Sequence, residues 1–102
     1  MEGNIIADLV DGECILAAAL TDIDGFTLER SSIDLRPNDF AGLLELNDSS
    51  NITSILTDNF VIISSRLDTG HMVMIKCPKD GNIGKARMKL ADACRLIANY
   101  VQ

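Results

Sequence analysis

One segment of the sequence resembles a phosphate-binding loop, Gly81 to Ala86 (GNIGKA). A phosphate loop has four residues between its two glycines and a Ser or Thr after its lysine, where the hydroxyl reaches magnesium. Here two residues separate the glycines, and Ala86 follows Lys85. We therefore interpret the segment as a turn that opens a helix rather than as a nucleotide site.

A second candidate for chemistry is the pair Asp22 and Asp24 beside Gly25. The glycine comes too early for a calcium loop, and no full set of ligands follows it. Carboxylates at an exposed hairpin tip also lack the burial that shifts a pKa for acid–base catalysis. Because Asp-Gly favours the tight turn of a β-hairpin, we predict a turn between two strands here.

The cysteines and the histidine give no basis for a metal site or a nucleophile. Cys14, Cys77 and Cys94 form no CxxC pair, and His71 is the only histidine. Structural zinc needs four ligands, usually in close pairs, and a serine or cysteine nucleophile needs a neighbouring base. We predict buried free thiols, no metal, no cofactor and no catalytic residue, so we expect the protein not to be an enzyme.

Composition and charge narrow the class of protein further. The 102 residues are 47% hydrophobic and 4% aromatic, which predicts a single domain over residues 1–102 with an aliphatic core. The net charge of −6 and the scarcity of aromatic residues argue against nucleic acid as a partner. The longest apolar run, Cys14 to Leu20, is too short to cross a bilayer. We expect a cytoplasmic protein without direct membrane insertion.

Hydrophobic periodicity predicts the order helix, two strands, helix, three strands, helix. We expect an α/β fold with a five-stranded antiparallel sheet and helices on both faces. The predicted elements are a short helix after Asn4, strands at Cys14 to Leu20 and Phe26 to Arg30, a middle helix from Pro37 to Asn47, strands at Ile52 to Thr57, Phe60 to Arg66 and Met72 to Lys76, and a long helix from Gly81 to Val101.

The predicted middle helix is too short to cover its side of the sheet. Five strands span about 24 Å, whereas a helix of two to three turns is only ~15 Å long. The strand that follows it carries no charge or proline, the usual protection of a sheet edge. We therefore predict a two-fold dimer in which middle helices pack together and third strands pair. The predicted interface residues are Phe40, Leu43, Leu44, Ile52, Ile55 and Leu56.

Five basic residues surround the start of the long helix: Lys76, Lys79, Lys85, Arg87 and Lys89. The predicted docking residues are Lys79, Lys85, Arg87 and Lys89. One interpretation is a solvated surface whose charge is balanced by the acidic first half of the same chain. The other is a docking patch for an acidic partner, in which charge sets the rate of approach and the register.

The segments Ala19 to Phe26 and Val73 to Leu90 resemble two parts of the roadblock family, also called the dynein light-chain roadblock family and related to longin domains. The first resembles the hairpin of that family. The second resembles its last strand, glycine turn and helix, with Asn82 to Arg87 at the helix opening. The predicted element order extends the resemblance over essentially the whole chain.

The resemblance implies a non-enzymatic scaffold without a cofactor, which pairs with itself or with a paralogous roadblock protein through the second helix and third strand. It also implies that the partner is a Ras-like small GTPase, with a GTPase-activating or adaptor role. Members of the family include dynein light chains, lysosomal scaffold subunits and regulators of gliding-motility-type GTPases. The alternative function is a sensory domain of profilin-like or longin-like shape that binds a small molecule.

Overall fold

The computed structural model describes residues 5–24, 26–31, 35 and 52–101. Its strands form one antiparallel sheet of five, which confirms the predicted fold class. The predicted middle helix, with Phe40, Leu43 and Leu44, lies outside the described residues. In chain order the elements are α1 (Ile5–Leu9), β1 (Ala17–Thr21), β2 (Thr27–Arg30), β3 (Ile52–Leu56), β4 (Phe60–Arg66), β5 (Met72–Pro78) and α2 (Ile83–Val101).

The strand order across the sheet is β2-β1-β5-β4-β3. Helices α1 and α2 pack beside each other on one side of the sheet, which we call the helical face. Helix α2 buries the stripe predicted from its period, and Ala86, Leu90, Cys94 and Ile97 are all buried. The sheet residues beneath the two helices are mostly aliphatic: Ala18, Leu20, Ile63, Val73 and Ile75.

The central strands are buried on the opposite face as well. Ala17, Ala19, Ile62 and Met74 form a second cluster there, together with Leu35. Every residue of β1 is buried, since its side chains alternate between two covered faces. The prediction of two-faced burial from continuous apolar runs is therefore confirmed.

The first strand begins later than predicted. Oδ1 of Asp11 accepts hydrogen bonds from the backbone N–H groups of Glu13, Cys14 and Ile15, at 2.8, 2.8 and 3.0 Å. These bonds hold the first residues of the apolar run in a loop, so β1 starts at Ala17 rather than at Cys14. Apolar periodicity did not predict the later start of β1, because the side chain responsible, Asp11, precedes the apolar segment.

Two turns pack against each other at one end of the sheet. In the β1–β2 turn, Oδ1 of Asp22 accepts the N–H groups of Asp24 and Phe26, both at 2.9 Å, which confirms the predicted turn. In the β4–β5 turn, Gly70 has a φ of +93°, and a Cβ added to it would lie 2.7 Å from the Ile23 side chain. Glycine is therefore required at residue 70 both by its backbone and by its neighbour.

We expect Asp11→Asn to lower the free energy of unfolding at neutral pH and to make stability less sensitive to acid. Hydrogen bonds from the N–H groups of Ile15 and Glu13, and then the Lys89 ammonium, hold the pKa of the Asp11 carboxyl well below its usual range. A carboxylate whose pKa is lowered by folding stabilises the native state above about pH 4 and loses that effect as the pH falls further.

Urea unfolding at pH 7 and pH 3 measures this effect. The difference in the free energy of unfolding between wild type and Asp11→Asn should be smaller at pH 3 than at pH 7. The control is Asp24→Asn, which removes an exposed carboxylate from the β1–β2 turn. If Asp11→Asn lowers the free energy of unfolding by the same amount at pH 7 and pH 3, the Asp11 carboxylate does not stabilise the native state through a lowered pKa.

Candidate docking surface

Strand β3 lies at one edge of the sheet. It pairs with β4 in register from Ile52 opposite Ser65 to Leu56 opposite Val61. Among the strands that the structure describes, β4 is its only neighbour. The segment predicted to be an unguarded edge is therefore an edge strand, and it carries no charged residue.

The side chains of β3 divide between the two faces of the sheet. Ile52 and Leu56 lie on the helical face and are 50% and 70% exposed. Ile55 lies on the opposite face beside Ile62 and is half-buried. The three β3 residues predicted for the dimer interface thus occupy both faces, because successive residues of a strand alternate.

Arg87 connects α2 to this edge strand. Its Nη2 donates a hydrogen bond to Oγ of Ser54 at 3.0 Å, between the exposed side chains of Ile52 and Leu56. Ser54 is not among the predicted interface residues, although strict alternation places it on the same face as its two exposed neighbours. The β3–α2 surface, defined as Ile52, Ser54, Leu56 and Arg87, is the candidate docking surface.

The other predicted docking lysines lie in different places. Nζ of Lys79 donates to the backbone oxygen of Asp58, at 3.5 Å, in the turn after β3. Nζ of Lys89 is 3.0 Å from Oδ2 of Asp11. Lys85 precedes Lys89 by one helical turn and therefore lies on the same flank of α2.

The four cations consequently form two pairs rather than one patch. Lys79 and Arg87 lie beside β3, whereas Lys85 and Lys89 lie on the flank of α2 that faces the loop of Asp11. The contact between Lys89 and Asp11 also supports the interpretation that the acidic first half of the chain balances part of this charge. A partner that touches one pair need not touch the other.

The three cysteines are free and buried, as predicted. Burial, followed by the nearby Cys14 and Asp11, raises the pKa of the Cys77 thiol to about 11, and burial raises the pKa of the Cys94 thiol. Both thiols are therefore protonated at neutral pH and are poor nucleophiles. His71 shares a hydrogen bond of 2.8 Å with Oγ1 of Thr69 in the β4–β5 turn, through its Nδ1.

Neither a metal-ligand cluster nor a membrane-spanning helix is found in the part of the chain that the structure describes. Residues 5–24, 26–31, 35 and 52–101 contain no group of three or more His, Cys, Asp or Glu that could hold a metal ion. Over the same residues, no helix combines the length and the apolar character that a membrane span requires.

Solved structures share this architecture over nearly the whole chain. A Roadblock/LC7 domain from Streptomyces avermitilis superposes with a TM-score of 0.80 at 14% identity, over 97% of this chain and 96% of that one. The chain has a roadblock-like fold. MglC from Myxococcus xanthus gives 0.71 at 17% identity over 96% and 97% of the two chains. MglB in a tetrameric arrangement gives 0.74 at 11% identity over 94% and 84%.

These identities are low enough that the likeness establishes the roadblock fold and nothing more. No family model matches the sequence, and the search of the curated proteins found no match. The likeness is thus carried by backbone architecture rather than by shared residues, and the roles of individual side chains must be argued from this chain.

We expect Lys89→Glu to lower the melting temperature clearly and Lys85→Glu to leave it nearly unchanged. The first change places a carboxylate beside Asp11, which already binds three backbone N–H groups. The second alters an exposed side chain, for which the free energy of unfolding usually changes by less than about 0.5 kcal/mol. Thermal unfolding followed by circular dichroism compares the two. Equal melting temperatures for both variants would show that the contact with Asp11 contributes nothing.

Proposed function

We propose that the protein is a non-enzymatic, cytoplasmic scaffold that acts as a dimer and binds a Ras-like small GTPase, in a GTPase-activating or adaptor role. The observation that carries this proposal is the roadblock-like fold over 97% of the chain, with β3 at the edge of the sheet. The resemblance of the hairpin and the last helix to the roadblock family points to the same class. We further propose that residues 1–102 act as one domain without a cofactor.

The dimer in this proposal forms by pairing β3 with β3 of a second copy or of a paralogue. A two-fold axis near Ser54 places Ile52 opposite Leu56 of the partner subunit. Both side chains then contact each other across the new strand pair, which reduces their exposed area on the helical face, and Ile55 gains a neighbouring side chain on the opposite face. Phe40, Leu43 and Leu44 complete the proposed interface on the basis of the sequence alone. The solved tetrameric arrangement of MglB is consistent with self-association in a protein of this fold.

The GTPase contact in this proposal uses the cations around α2. Lys85 is exposed, while Lys89 has two further N–H donors besides the one directed at Asp11. Lys79 and Arg87 lie beside β3 and therefore close to the proposed dimer axis. Acidic patches on a partner would be attracted to both pairs, with charge setting the rate of approach.

The alternative function, a sensory domain with a ligand between sheet and helix, has less support. Ala18, Ile63 and Ile75 on the sheet and Ile97 on α2 are fully buried against one another on the helical face. Among the described residues, this close packing leaves no room for a ligand between the central strands and α2. A thermal-shift screen of metabolites would favour the alternative if one of them raised the melting temperature strongly.

We expect Ser54→Pro to convert the dimer into a monomer without unfolding it. The N–H of Thr57 donates to the oxygen of Phe60. The alternation of an antiparallel ladder therefore directs the N–H of Ser54 away from β4. Proline removes that outward donor and is tolerated at a sheet edge. Light scattering at micromolar concentration measures the mass.

The matched control is Ser54→Ala, which loses the hydroxyl that binds Arg87 but keeps the backbone donor. It should remain dimeric, and circular dichroism should show that both variants are folded. A monomeric wild type, or a Ser54→Pro variant that stays dimeric, would refute pairing through β3.

Binding to a GTPase is tested with a purified Ras-like GTPase from the same organism, loaded with GDP or with a non-hydrolysable GTP analogue. We expect binding that depends on the nucleotide, and Lys85→Glu should weaken it about tenfold, or 1.4 kcal/mol. The control Arg95→Glu reverses an exposed charge on the same helix and should bind like wild type. Binding that is unaffected by Lys85→Glu would remove this residue from the contact.

A further inference from the structure

A second surface feature lies at the opposite edge of the sheet from β3, between α1 and β2. An open groove of about 240 Å³ is lined there by Ile6, Ala7, Glu29, Arg30 and Ser31. It shares no residue with the β3–α2 surface. A ligand could therefore occupy this groove whether or not the protein forms the proposed dimer or binds the proposed GTPase.

Glu29 carries the most informative atom of this groove. It pairs with Leu20 on the helical face, so its side chain extends beneath α1 beside the buried Ile6. Its Oε2 is buried, and no residue of the described chain donates a hydrogen bond to it. A buried carboxylate oxygen without a donor is energetically costly. Because Glu29 also lines the open groove, its carboxylate can accept a hydrogen bond from a donor that enters there.

The other residues of the groove define what kind of donor fits. Arg30 pairs with Ala19, which belongs to the cluster on the opposite face, so its guanidinium is directed away from Glu29. Oγ of Ser31 accepts the N–H of Ala18 at 2.8 Å and retains its own proton and one lone pair. The groove thus combines a carboxylate, a hydroxyl and apolar walls from α1.

An alkylammonium group matches this combination. It is a compact cation with three N–H donors, and its methylene stem can lie against apolar side chains such as Ile6 and Ala7. A guanidinium is wide and planar and needs a pair of acceptors in its plane, whereas a compact ammonium group can bind a single acceptor such as the Glu29 carboxylate.

The edge strand indicates where the ammonium group comes from. The N–H of Ser31 donates to the oxygen of Ala18 at 2.9 Å. By the alternation of an antiparallel ladder, the peptide group of Arg30 faces away from β1. The register of the two strands shifts only beyond Glu29, opposite Leu20 and Thr21. β2 is the outermost strand on this side of the described sheet, and its Leu28 side chain is exposed. An extended segment pairing with β2 would bring one of its side chains to the groove.

We propose that the groove between α1 and β2 binds the side-chain ammonium of a lysine in an extended partner segment that pairs with the edge of β2. Glu29 accepts a hydrogen bond from the ammonium group, Ser31 contributes its hydroxyl, and Ile6 and Ala7 contact the methylene stem. The outward peptide group of Arg30 binds the backbone of the segment.

Amide chemical shifts of the isotope-labelled protein test this proposal. The probes are the acetylated and amidated peptide Val-Thr-Lys-Thr-Val, the same peptide with norleucine in place of lysine, and n-butylammonium. We expect the lysine peptide to shift the amide of Arg30 and to bind at least about tenfold more tightly than the norleucine peptide. That factor corresponds to roughly 1.4 kcal/mol.

Substitution of the carboxylate separates a binding role from a structural one. Glu29→Gln keeps the shape and should abolish the preference for lysine, while Glu29→Asp keeps the charge and should retain part of it. Glu13→Gln, an exposed glutamate in the loop after α1, should leave the preference unchanged. A dispersed amide spectrum shows that each variant is folded.

Two outcomes would overturn the proposal. If n-butylammonium binds at Glu29 as tightly as the lysine peptide does, the groove is a site for free amines and not for a partner strand. If neither the lysine peptide nor n-butylammonium shifts the amides of Ala7 and Ser31, the groove is not an ammonium site. The same conclusion follows if the preference for lysine survives Glu29→Gln.

Discussion

The three central strands must be shielded from water on both faces, and the rest of the structure depends on this constraint. Ala17 to Ala19 leave little side-chain volume on β1, so neighbouring elements can approach it closely on either side. Ile62, Met74 and Ile75 fill the space on the adjoining strands, and all three are fully buried. Sequence variation that preserves this aliphatic filling preserves the sheet, which explains how 11–17% identity accompanies the same fold.

The side chains that could contact a partner consequently lie on the outer strands, where the sheet is no longer shielded from water on both faces. β2 and β3 are the outer strands, and each combines exposed apolar side chains with one polar feature that faces the helices. On β3 that feature is Ser54 with Arg87, and on β2 it is the carboxylate of Glu29. Proteins that share a fold acquire different partners through such positions, because they can change without disturbing the core.

Sequence reasoning succeeded for features determined by local or periodic signals. The buried stripe of α2, the bounds of β4 and the turn at Asp22 all follow from residues close together in the chain. It failed where one side chain acts on distant residues. The helical period does not show that Arg87 binds Ser54, 33 residues earlier, or that Lys89 binds Asp11, 78 residues earlier. The buried oxygen of Glu29 has no signature in the pattern at all.

In two copies of the protein joined at β3, the position of β2 determines the distance between the two grooves that could each bind a partner segment. Joining two copies at β3 would give a continuous ten-stranded sheet with a β2 strand at each end. At ~4.8 Å per strand the two ends would lie about 43 Å apart. A partner with two lysine-bearing segments could then hold both ends at once, provided that its linker spans that distance. Once one segment is bound, binding of the second would be intramolecular. The pair would therefore favour bivalent partners whose linker length matches the distance between the two ends.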